Sequence, residues 1–75
     1  MTKADKDRID QLARDMVGTY GPTMNRQQLM DALNYKTPGG VSVWLTKHGM
    51  TARRIGQGLY VTRDVATALI LGSAV

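Results

Sequence analysis

Apolar side chains fall at Ile9, Leu12, Ala13, Met16, Val17 and Tyr20, a spacing that draws one stripe along a helix of 3.6-residue period. Thr2 with Asp5 three residues later is a candidate capping box. Gly18 and the Gly21-Pro22 pair supply stop signals, so the pattern predicts a helix over about residues 3–17. A shorter stripe follows at Leu29, Met30, Ala32 and Leu33, with Asn25 as N-cap, Gln28 at the capping-box position and Met24 placed to staple onto Leu29. Asn34 tolerates the left-handed conformation that ends helices, which gives a helix of about two turns over 26–33.

Thr37-Pro38 marks the next start, because proline fits the first helical position, where no amide donor is needed. The helix it opens runs to about Lys47 and is closed by Gly49, with Val41, Trp44 and Leu45 facing in. Gly39 and Gly40 weaken its first turn by roughly 1 kcal/mol each relative to alanine, which points to fraying or to a close approach to the backbone. After Gly49 the period changes. Arg53-Arg54-Ile55 and Leu59-Tyr60-Val61 flank Gly56-Gln57-Gly58 and read as a hairpin over about 53–61. Thr62 as N-cap and Asp64 in the first turn open a last helix over about 63–71, with Val65, Ala68, Leu69 and Gly72 inward.

The order helix, short helix, tight turn, short helix, hairpin, helix predicts a mainly α fold with a small β-hairpin. This is a winged helix-turn-helix preceded by an extra N-terminal amphipathic helix, in one domain spanning residues 1–75. In that architecture the helix over 38–47 enters the major groove and the hairpin lies on the flanking backbone or minor groove. Ser42, Val43, Thr46 and Lys47 are left facing out opposite the apolar stripe, and they form the candidate contact face. Arg26, Arg53, Arg54, Gln57 and Tyr60 complete the candidate DNA-binding set. Trp44 is expected in the core rather than as a stacking platform for single strands.

Charge sharpens this reading. Residues 1–21 carry Lys3, Lys6, Arg8 and Arg14 against Asp5, Asp7, Asp10 and Asp15, a net of zero. The remainder carries Arg26, Lys36, Lys47, Arg53, Arg54 and Arg63 against Asp31 and Asp64, so the whole excess of +4 lies after residue 21. A basic surface suits a polyanionic partner, since its cations displace counterions condensed on DNA; solubility charge is the competing explanation. The chain has no glutamate, no cysteine and a single histidine, His48. Disulfides and thiolate metal sites are therefore excluded, and almost no repertoire for acid-base or nucleophilic work is left. The expectation is a binder that is no enzyme and needs no cofactor. The charged first fifteen residues do not read as a secretory leader, and no apolar run is long enough to span a bilayer, so cytoplasm is the expected location.

The run Trp44-Leu45-Thr46-Lys47-His48-Gly49-Met50-Thr51-Ala52-Arg53-Arg54-Ile55-Gly56, followed by Val61-Thr62-Arg63-Asp64-Val65, resembles excisionase-like and AlpA-like winged helix-turn-helix proteins, relatives of the MerR DNA-binding domain. Met24-Asn25-Arg26-Gln27-Gln28-Leu29 is similar to the opening of the same unit, and the likeness covers residues 24–71. Thr51 stands where the family usually has proline, the double glycine offers no side chains for base contacts, and the N-terminal helix is an addition. The resemblance implies a sequence-specific, architectural DNA-binding protein of a phage or mobile element. Its role would be that of a recombination directionality factor or a small transcriptional regulator. Double-stranded DNA is the implied partner, with a second copy of the chain and an integrase as further ones. A small inhibitor that uses the same fold to occlude a host protein is the alternative, and salt dependence of DNA binding separates the two.

Overall fold

A computed structural model describes residues 2–56 and 58–72. Among these the chain is mostly helical, with one small antiparallel sheet. Helix α1 spans Lys3–Tyr20, strand β1 Thr23–Met24, α2 Arg26–Leu33, α3 Pro38–Lys47, β2 Tyr60–Val61 and α4 Thr62–Leu71; a single 3₁₀ turn occupies Met50–Arg53.

Helix α1 begins as its sequence requires, the Thr2 hydroxyl accepting from the Asp5 amide at 3.1 Å. It does not stop at Gly18. Two further residues are held by contacts that outweigh the glycine. Thr19 Oγ1 donates to the Asp15 carbonyl at 3.2 Å, and the Tyr20 hydroxyl donates to Asp31 Oδ2 on α2 at 2.8 Å. Gln28 Nε2 donates to the Tyr20 carbonyl at 3.1 Å, satisfying an acceptor that a helix end leaves orphaned. The helix then ends at Gly21, whose φ of 93° favours glycine. The bond to Asp31 stabilises the neutral phenol and raises the Tyr20 pKa above its ordinary value.

Helix α2 carries the full capping box: the Gln28 amide donates to Asn25 Oδ1 and the Asn25 amide to Gln28 Oε1, both at 2.9 Å. Asn34 closes it in the left-handed region at φ 60°. Helix α3 starts with Thr37 as N-cap and Pro38 in its first turn. The anticipated approach to its glycines is real at one of them. A Cβ at Gly40 would lie 2.9 Å from Cδ1 of Tyr35, whereas Gly39 has ordinary space around it.

The core joins Ala13 and Met16 of α1, Met24, Leu29, Val41, Trp44, Leu45, Met50, Tyr60, and Val65, Ala66 and Ala68 of α4. Ile9 is buried as well. Helices α1 and α4 pack against each other, and small alanines at 13, 66 and 68 are among their buried residues. Trp44 is 7% exposed, so both of its faces are covered, and His48 lies against it with ring centroids 4.7 Å apart. His48 Nδ1 is 2.6 Å from the Gly72 carbonyl, a distance that requires the protonated nitrogen on that side.

Three sequence expectations shift. The stretch after Gly49 begins as the 3₁₀ turn, with Met50 fully buried as its anchor, so Arg53 is not on a strand. Ile55 and Leu59 make one antiparallel bridge, and the paired strand β2 that follows joins β1, in register Thr23 with Val61 and Met24 with Tyr60. Thr62 is the first helical residue rather than the cap, because its hydroxyl donates to the Gly21 carbonyl at 2.6 Å and its amide to the Pro22 carbonyl at 3.0 Å. On α4, Leu69 stays 41% exposed and Gly72 is exposed as well, because both lie at the helix end, while Ala66 joins Val65 and Ala68 among the buried residues.

Arg63 pairs with Asp10 across the α1–α4 surface. The bond from the guanidinium holds the Asp10 carboxyl below its ordinary pKa. Its stabilising effect is therefore present above the ordinary carboxylate pKa and is lost as pH falls through the lowered one.

Thr62→Val keeps the shape of a fully buried side chain but leaves the Gly21 carbonyl without its donor. It is expected to lower stability by about 1 kcal/mol, with Thr62→Ser retaining the bond. Trp44→Ala is expected to cost about 3–5 kcal/mol by opening the core. Urea denaturation followed by circular dichroism measures both series.

Candidate nucleic-acid interface

Helix α3 has one buried and one outward face. Val41, Trp44 and Leu45 point into the core, while Val43, Thr46 and Lys47 are exposed and Ser42 is half-buried beside them. Val43 is 67% exposed, more than any other large apolar side chain among the described residues. Ser42, Val43, Thr46 and Lys47 together line one shallow hollow. The four outward residues read from the helical period are therefore brought together.

Arg26 is exposed at the start of α2, and its Nη1 donates to the Pro38 carbonyl at 3.3 Å and to Ser42 Oγ. It ties α2 to the first turn of α3. The cause is geometric, since the turn over 34–37 sets the two helix starts within reach of a long side chain. Ser42 consequently accepts from a protein donor.

A second hollow lies beside this tie. Asn25, Arg26, Gln27, Met30, Pro38 and Gly58 line it, so the starts of α2 and α3 and Gly58 share one side of the molecule. Gln27 is the residue on this side that the sequence reading passed over. Its position directly after Arg26 at an exposed helix start is the signal that would have marked it.

The remaining candidates separate. Arg54 is exposed in the stretch before Ile55. Arg53 Nη1 lies 3.9 Å from Asp64 Oδ1, which directs it toward the start of α4. Tyr60 is 4% exposed, lies beside its sheet partner Met24 in the core, and has almost no surface for a ligand; the strand alternation of the sequence had no means of showing that it would pair with β1 there. Gln57 lies outside the described residues. Among the described residues no group of three His or Asp side chains is placed to hold a metal, and no helix is long and apolar enough to cross a membrane.

No family model, curated protein or solved structure matches this chain.

Arg26→Ala removes the tie to α3 and is expected to lower stability by less than about 1 kcal/mol, as an exposed contact. Gly39→Ala is expected to raise stability by up to about 1 kcal/mol, since the site is open and alanine is the better helix former. Gly40→Ala should bring no such gain, because the Tyr35 ring must move. Urea midpoints of the three variants check the ranking.

Proposed function

We propose that this protein binds double-stranded DNA as a winged helix-turn-helix module, with α3 in the major groove and the residues of the Ile55–Leu59 bridge as a short wing on the flanking backbone. One observation carries the reading. The outward α3 face of Ser42, Val43, Thr46 and Lys47 is joined at Ser42 to Arg26 of α2, which lines a hollow with Pro38 and Gly58, while the opposite face of α3 is locked into the core by Val41, Trp44 and Leu45. A helix held rigidly by one face and presented by the other meets the geometric demand of groove insertion. The cations Arg26, Lys36, Lys47 and Arg54 are exposed, which supplies charge for phosphate contacts. Binding is the whole activity, in an architectural role: directing recombination of a mobile element or controlling a promoter.

The test is a salt titration of binding to a duplex selected from a randomised pool and to a scrambled duplex. Lys47→Ala and Arg54→Ala are each expected to weaken both complexes and to flatten the logarithmic salt slope by about one unit. If the double variant keeps the parental affinity and slope on both duplexes, the DNA reading falls, and occlusion of a host protein by the same face takes its place.

A further inference from the structure

We propose that Val43 is the residue through which α3 reads sequence, and that what it recognises is the 5-methyl group of thymine; this rests on the DNA-binding reading above. The argument begins with what α3 lacks. Its ten residues, Pro38–Lys47, include no arginine, asparagine or glutamine, the side chains that pair bidentately with guanine or adenine edges. The first turn, which in a groove-inserted helix lies nearest the bases, is Pro38-Gly39-Gly40 and offers no polar side chain. Ser42 is already engaged by Arg26. Lys47 occupies the last turn, away from the inserted end.

Beyond the engaged Ser42, Val43 is the next outward side chain from the inserted end. Its isopropyl group is exposed to 67%, with Thr46 and Lys47 sharing its hollow. The apolar group that the major groove displays is the thymine methyl. The absence of bulk at Gly39, where a Cβ would meet Thr37 Oγ1 at an ordinary 3.9 Å, lets the helix sit close to the base edges and brings a short side chain within reach. Lys47, one turn further on, is positioned to hold a phosphate while Val43 meets the methyl.

The experiment uses the full chain and the duplex selected from a randomised pool, synthesised once with thymine and once with uracil throughout. Uracil removes the methyl and leaves base pairing intact. The parental protein is expected to bind the thymine duplex about three- to fivefold more tightly for each methyl it contacts. In Val43→Ala that preference is expected to fall to about one, while the salt slope stays parental, because no charge has changed. Circular dichroism is expected to be unaltered in this variant of an exposed position. If the parental protein binds both duplexes equally with a normal salt slope, the thymine assignment is overturned and the DNA reading stands. A thymine preference that survives in Val43→Ala likewise overturns the role of this residue. If Val43→Ala instead converts a dimer to a monomer in sedimentation while the thymine preference persists, Val43 belongs to a contact between copies and the proposal is overturned. Loss of salt-dependent binding to any duplex in the parental protein removes the DNA reading and this inference with it.

Discussion

The architecture turns on one junction, where residues 21–24 meet residues 60–62. Thr62 gives its hydroxyl to the Gly21 carbonyl and its amide to the Pro22 carbonyl, and the adjoining residues pair as β1 and β2. Pro22 has no amide to donate, so its carbonyl is the one backbone group it can contribute. A fully buried threonine in a small domain requires such partners, since an unmatched polar group there would cost about as much as one hydrogen bond gains. The junction closes the chain across 41 residues and lays α4 against α1. Met24 and Tyr60, partners in that sheet, are consequently both in the core.

Helices α2 and α3 pack against each other beside this frame. The second of them is intrinsically weak at the start, where two glycines follow a proline. Three contacts offset the weakness: the Thr37 cap, the Tyr35 ring over Gly40, and the Arg26 guanidinium on Pro38 and Ser42. The result is a helix start that is ordered by its surroundings and nearly free of side-chain bulk. A surface of this kind can come close to another macromolecule without first clearing long side chains out of the way.

The charge is divided in a similar manner. Arg63 pairs with Asp10 and Arg53 approaches Asp64, so two of the basic residues meet acidic partners within the chain. Both pairs are surface pairs of small energetic value, and their effect is mainly on direction: they turn two guanidinium groups toward α1 and α4. Arg26, Lys36, Lys47 and Arg54 are left exposed around α2, α3 and the stretch before Ile55. A net charge counted along the sequence therefore overstates what the candidate interface can present.

The sequence by itself determined the local elements. The starts of α1, α2 and α3 follow from Thr2, Asn25 and Thr37, whose cap bonds join residues three positions apart and need nothing distant. The outward set Ser42, Val43, Thr46 and Lys47 was legible for the same reason, because helical phase is a local property. Tertiary structure decided the rest. It carried α1 past Gly18 through bonds to α2, made Thr62 a junction instead of a cap, and placed Tyr60 beside Met24 in the core. It also turned Arg53 toward Asp64 and spent Ser42 on Arg26. Each of these depends on partners 8 to 41 positions away. A propensity or a spacing cannot report such partners, because the energy that fixes them arises only when separate elements are brought into contact.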